Sequence, residues 1–193
     1  MSRARPWLLI VNGRAATGKT TLARRLAREF VAPLIHKDGL KEPLYDTLGA
    51  PDRAASRRLG VATYAIQRAI AAELLMAGVS LILEANYREE FEGAPLRALI
   101  TAHDARVAQI WLSAQPDVLI ERFTQRAASA ERHPGHRELA YMDEIRQTIA
   151  APDDTPLALP GPLLSLDTTT FREQDQQTAL AFARLLIGGE NEA

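Results

Sequence analysis

Apolar and polar positions along this chain switch repeatedly between two spacings. Trp7-Leu8-Leu9-Ile10-Val11 is an unbroken apolar run, the pattern of a strand covered on both faces. Residues 21–30 follow with Leu22, Arg25, Leu26 and Glu29 at helical spacing. Pro33-Leu34-Ile35-His36 predicts a second strand, and residues 37–48 a helix that Gly49-Ala50-Pro51 ends. Leu59, Ala62, Ile66, Ile70, Glu73 and Leu74 predict a long helix over 53–76, with Gly78 as its stop. Residues 79–85 read as a third strand, 95–103 as a helix and 106–112 as a fourth strand. Another helix is predicted over 116–130, opened by Gln115-Pro116-Asp117, and a further one over about 138–150. Between them lies the breaker-rich run Glu131-Arg132-His133-Pro134-Gly135-His136. Pro152, Pro156, Pro160 and Pro162 mark an extended connector, after which 163–167 make a fifth strand and 173–187 a last helix.

Strands that alternate with helices need right-handed crossovers, which gives an α/β chain with a five-stranded parallel sheet inside a three-layer αβα sandwich. At 193 residues the simplest organisation is one domain over 1–193, with residues 116–150 inserted as a helical lid. The 23 Lys and Arg against 24 Asp and Glu give a net charge of −1, so no global basic field points to nucleic acid. With no cysteine, disulfides and thiolate metal sites are excluded, which is compatible with a reducing compartment. Arg3 and Arg5 precede only five apolar residues, too few for a signal-peptide core or a membrane span. A cytoplasmic protein that meets no membrane is the expectation.

The chemistry begins where the first strand ends. Gly13-Arg14-Ala15-Ala16-Thr17-Gly18-Lys19-Thr20 fits G-x-x-x-x-G-K-[ST], the P-loop (Walker A) pattern. A buried strand, a tight loop and a helix turn successive backbone N–H groups and a helix N-terminus toward one small volume that suits phosphate oxygens. The expected ligands are ATP and Mg²⁺, with Gly13, Ala15, Ala16, Thr17, Gly18 and Thr21 around the phosphates. Lys19 would reach the β- and γ-phosphates, and Thr20 would ligate the metal. If the turn needs positive φ, Ala16 costs about 1 kcal/mol relative to glycine.

In such a sheet ligands collect at the carboxyl ends of the strands. The second strand runs into His36-Lys37-Asp38, the third into Glu84-Ala85-Asn86 and the fifth into Asp167-Thr168-Thr169. Asp38 is placed to take a proton from an attacking hydroxyl, or else to cap the helix that follows. Glu84 is placed to hold Mg²⁺ through water or orient a nucleophile, or else it marks the strand's emergence into solvent. Asn86 could donate to a substrate or fix the following turn. Arg122, Arg126 and Arg132 suit a lid that closes over a triphosphate, or else form a solvated face paired with Glu121, Glu131 and Glu138. His133 and His136 read as loop-shaping residues rather than metal ligands.

Taken in order, the phosphate loop, Lys37-Asp38 with Lys41, Glu84-Ala85-Asn86, and Glu121-Arg122-Phe123 through Arg126 to the 131–136 loop resemble the small P-loop kinases grouped with AAA-type ATP-binding proteins. The pattern is similar to the kinase domain of polynucleotide kinase and, more distantly, to chloramphenicol phosphotransferase, zeta-toxin-type kinases and gluconate or shikimate kinases. The resemblance implies a kinase with Asp38 as base, Lys41 as a substrate contact and Arg126 as a lid residue touching ATP phosphates. Its acceptor would be a hydroxyl of a small molecule or of a nucleic-acid end. Two departures disfavour polynucleotides: Glu84 replaces an Asp, and Lys41 replaces an Arg, which loses bidentate phosphate recognition. The competing function is an ATPase or nucleotide-dependent switch without an acceptor. The guanine-reading N-K-x-D is absent.

Overall fold

In the computed structural model, which describes residues 5–129, 133, 142–151 and 155–188, five strands lie parallel in the order β2-β3-β1-β4-β5. They are β1 (Trp7–Gly13), β2 (Leu34–His36), β3 (Leu81–Glu84), β4 (Arg106–Ser113) and β5 (Leu163–Asp167). Among the described residues, seven α-helices join or flank them: α1 (Lys19–Glu29), α2 (Lys37–Leu48), α3 (Arg53–Met76), α4 (Ala94–Ala102), α5 (Pro116–Ala127), α6 (Met142–Ala150) and α7 (Glu173–Gly188). The expected α/β sheet and its element order are both present.

All seven residues of β1 are buried, because helices cover the sheet on both sides. On one side Leu9, Val11, Ile110 and Leu112 meet Leu22 and Leu26 of α1 and Leu180 of α7. On the other, Leu8, Ile10 and Leu83 meet Ala71 and Leu75 of α3 and Leu96 of α4. The registers Ile10↔Leu83 and Val11↔Glu84 bring the ends of β1 and β3 together, so the phosphate loop opens beside Glu84.

The long helix α3 turns differently from the expected stripe. Its buried residues are Ala55, Ser56, Leu59, Thr63, Gln67, Ala71 and Leu75, and of the predicted stripe only Leu59 is among them. Ile70 is 36% exposed and Val61 is 71% exposed. An apolar count missed the inward face because part of that face is polar and hydrogen-bonded: Thr63 Oγ1 donates to Leu59 O at 2.7 Å, and Gln67 spans two strands. By length and composition alone, α3 is also apolar enough to cross a membrane, whereas here its inward stripe packs on the sheet.

Several boundaries moved, among them the end of α5, which lies at Ala127 rather than 130. Strand β3 ends at Glu84 and starts two residues later than expected, α1 begins at Lys19, and one turn of π-helix (Glu89–Gly93) leads into α4. Sequence periodicity held no signal for that turn. Pro43 sits inside α2 without ending it.

Candidate active site

Gly13 closes β1 with φ +137°, and a Cβ there would stand 2.1 Å from Leu112 O. Only glycine lets β4 lie this close to the start of the loop. The chain then turns through two left-handed residues, Ala16 (φ 65°) and Gly18 (φ 87°), before α1 begins. Ala16 therefore does adopt the positive φ that alanine disfavours. A Cβ on Gly18 would stand 2.8 Å from the Phe171 ring, so the loop after β5 braces the phosphate loop from behind. Inside the loop, Thr17 Oγ1 donates to Arg14 O at 2.9 Å and Lys19 Nζ to the same oxygen at 2.5 Å. No side chain caps α1, so its first N–H groups face the loop as donors for an anion.

Thr20 Oγ1 donates to Glu84 Oε2 at 2.9 Å, which joins the two expected metal ligands across α1 and β3. These are hard oxygens of the kind Mg²⁺ accepts. Among the described residues no group of three or more His, Cys, Asp or Glu converges on one point. The donor set fits a metal that arrives with phosphate oxygens and keeps its waters. Gln67 of α3 steadies this corner: its Nε2 donates to Ile35 O (2.8 Å) and Glu84 O (3.1 Å), and its Oε1 accepts from the Tyr87 hydroxyl at 2.7 Å. Burial pushes the Tyr87 hydroxyl pKa well above its ordinary value, so it stays a donor.

His36, not Asp38, caps α2, its Nδ1 accepting from Gly39 N at 3.0 Å. Asp38 instead opens on two clefts. One, of about 470 Å³, is lined by Lys19, Thr20, Arg24, Asp38, Arg122 and Arg126. The other, of about 190 Å³, is lined by Lys37, Asp38, Lys41, Arg53, Glu84 and Asn86. Lys41 Nζ donates to Ser56 Oγ at 3.2 Å. Burial lowers the Lys37 pKa to about 8, with Lys41 and Lys19 pushing the same way and Asp38 and Glu84 opposing.

Of the expected lid arginines, Arg122 Nη2 donates to Thr169 O at 2.9 Å, and the Arg126 guanidinium lies 5.0 Å from the Phe123 ring centroid. Glu121 is bonded by Gln125 at 3.1 Å. Arg132, Glu131, Glu138 and His136 lie outside the described residues. His133 Nε2 meets Asp46 Oδ1 at 3.0 Å and its ring stands edge-on to Tyr45, so His133 is tied to α2. Helix α6 is tied at both ends. Glu144 accepts from Arg53 (2.7 Å) and Arg57 (2.8 Å) of α3, and the Arg14 guanidinium of the phosphate loop donates to the carbonyls of Thr148, Ile149 and Ala151. Sequence reasoning passed over Arg14, Arg53, Glu144, Gln67 and Phe171. Gln67 is one of several polar residues in the 53–76 helix, and nothing in its spacing sets it apart. The others are ordinary surface letters until the fold gathers them.

Residues 8–152 match the family described as AAA domain (AAA_33). A shikimate kinase from Rhodopirellula baltica is 25% identical over 178 residues, covering 89% of this chain and 87% of that protein. The crystal structure of a candidate kinase from Chloroflexus aurantiacus J-10-fl superposes with a TM-score of 0.84 at 35% identity, over 96% of this chain and 97% of the other. A gluconokinase from Sinorhizobium meliloti 1021 shares the fold, with a TM-score of 0.55 at 16% identity, over 98% and 100% of the two chains.

Proposed function

The chain belongs to the AAA domain family as a small P-loop kinase, and on that footing we propose that it moves the γ-phosphate of ATP to a hydroxyl group of a small molecule. One observation carries this reading. Asp38 opens both on the cleft that holds Lys19, Thr20 and the lid arginines and on the cleft that holds Lys41 and Asn86. A carboxylate shared by both spaces is where transfer between two bound molecules requires its base.

The loop from Gly13 through Ala15, Ala16, Thr17 and Gly18 to Thr21 holds the phosphates by backbone N–H groups, and Lys19 supplies the charge that balances them. Thr20 and Glu84 hold Mg²⁺, whose chemistry is to neutralise charge on the phosphate oxygens. Arg122, Arg126 and Arg132 of the lid, residues 116–150, stabilise the transferred group and exclude water. Lys41 and Asn86 contact the acceptor, and Asp38 accepts its hydroxyl proton. The whole works as one unit over 1–193 in the cytoplasm, without a membrane. A nucleic-acid end is disfavoured as acceptor by the single-point charge of Lys41.

Two variants separate binding from chemistry. Lys19→Ala is expected to abolish ATP binding and transfer together. Asp38→Asn is expected to keep ATP affinity, read by calorimetry, while transfer from radiolabelled ATP falls at least ~10²-fold across a panel of sugars, nucleosides, antibiotics and nucleic-acid ends. Undiminished transfer by Asp38→Asn would remove it as the base. ATP hydrolysis that no acceptor accelerates would replace the kinase with a nucleotide-driven switch.

A further inference from the structure

This chain has only three lysines, Lys19, Lys37 and Lys41, against twenty arginines. All three line the single cleft of about 190 Å³ beside Asp38 and Glu84. Everywhere else a positive charge is a guanidinium. A compact ammonium differs from a guanidinium in offering three N–H groups from one point and in losing its proton when desolvated. Lys19 belongs to the phosphate loop, and Lys41 reaches Ser56. Lys37 has no part in the chemistry described so far.

Two of its three N–H groups are spent, on the Tyr64 hydroxyl at 2.8 Å and on Asn86 Oδ1 at 2.8 Å, and the ammonium lies 4.4 Å from the Tyr64 ring centroid. The third has no acceptor among the described residues. Because an ammonium cannot accept a hydrogen bond, Asn86 must turn its Oδ1 toward Lys37. The Tyr64 hydroxyl secures that orientation, its single proton shared between Asn86 Oδ1 and Asn86 O, each at 3.0 Å. The Asn86 NH₂ is thereby turned away from Lys37, and it donates to no described residue. Lys37 is half-buried and Asn86 exposed, so both unspent donors can reach a molecule in the cleft they line.

We propose that Lys37 binds the phosphate acceptor: its third N–H and the Asn86 NH₂ that it orients form a two-donor cradle for an anionic oxygen, carboxylate or phosphate, of the molecule whose hydroxyl faces Asp38. Naming that molecule the acceptor rests on the kinase reading; the cradle itself does not. A charge-assisted hydrogen bond is roughly twice as strong as a neutral one, so the cradle favours a charged acceptor over its uncharged analogue. Five groups set the charge of Lys37. Asp38 and Lys41 act from α2, Lys19 from α1, Glu84 from β3 and the neutral Tyr64 hydroxyl from α3. Burial outweighs the two carboxylates and holds its pKa near 8. An anion in the cradle favours the charged form, so it must raise that pKa, and it must bind more tightly below pH 8 than above.

Three lysines make the test direct. Full-length protein carrying ¹³Cε-lysine is saturated with Mg²⁺ and a non-hydrolysable ATP analogue to fill the phosphate loop, then titrated with acid and base alone or with acetate, methyl phosphate or glycerol. The Lys37 signal is the one missing from Lys37→Met and, as a check on folding, from Lys37→Arg. Acetate or methyl phosphate is expected to raise its midpoint by about 1 pH unit in wild type and by much less in Asn86→Ala, with glycerol without effect. Whichever anion acts names the source of the oxygen. An unmoved midpoint with both anions, or an equal shift in Asn86→Ala, overturns the cradle. Turnover then tests the acceptor on matched pairs, D-gluconate with D-glucitol and glucose 6-phosphate with glucose. Lys37→Met is expected to raise KM for the charged member ~10-fold or more with little change in kcat, and Lys37→Arg to recover part of it. An anion-sensitive Lys37 in a protein that phosphorylates nothing would overturn the kinase reading and leave the cradle standing.

Discussion

The core of the proposed phosphate side comes from one stretch of chain, Gly13 to Thr21, which would offer mostly backbone groups. The proposed acceptor side is a cleft assembled from distant side chains: Lys37 and Lys41 from α2, Arg53 and Tyr64 from α3, Asn86 from beyond β3 and Ile145 from α6. The first therefore depends on which φ values the chain can adopt, and the second on how helices pack against strands. A substitution that disturbs backbone geometry should strike the first side hardest. One that disturbs a buried bridging group should strike the second.

Gly13→Ala should be the most damaging, because its methyl must displace Leu112 O from 2.1 Å and separate β4 from β1. A loss of roughly 3 kcal/mol or more is expected in urea unfolding. A loss under about 0.5 kcal/mol would mean that the strand ends yield easily, and the contrast between the two sides would weaken. Gln67→Leu keeps the shape but strands Ile35 O, Glu84 O and the Tyr87 hydroxyl, a loss of about 2–3 kcal/mol. Transfer should fall with it, because Gln67 supports Glu84 as well as Ile35 just ahead of α2, while the Gly13–Thr21 loop itself still binds ATP. Equal loss of both would mean that the two sides are one packed unit.

That contrast also explains what could be read in advance. The loop, the strand–helix alternation and Asp38 and Glu84 at strand ends follow from local letters, because each depends on neighbours a few residues away. Positive φ at Ala16 was open only as a condition on the turn, and the structure supplies it. The orientation of α3 was not, because its inward face buries Ser56, Thr63 and Gln67, whose partners lie on other elements. Nor were the ties of α6, which pair Glu144 with arginines 91 and 87 residues away and Arg14 with carbonyls more than 130 residues away. Such contacts leave no period in a sequence.

The smallest expected effects lie at the two ends of α1, where residues other than glycine hold left-handed backbone. Val31 (φ 50°) follows the Phe30 cap, its neighbour Ala32 N donates to Ala27 O at 3.0 Å as in a glycine-ended helix, and its side chain is 90% exposed. Relief of a strained β-branched residue outweighs the entropy that glycine adds to the unfolded chain, so Val31→Gly should stabilise by about 1 kcal/mol and leave ATP affinity alone. Ala16→Gly should gain about 0.5 kcal/mol by the same balance. Where that gain appears tells when the loop is strained. Ala16 is left-handed in the folded loop, and if that strain belongs to the fold itself, glycine should raise stability with an unchanged ATP Kd. If the free loop instead relaxed and took up the strain on binding, stability would stay put and ATP would bind the glycine variant more tightly, by a factor of about two for 0.5 kcal/mol. Calorimetric Kd values and urea midpoints for the two variants decide between these outcomes.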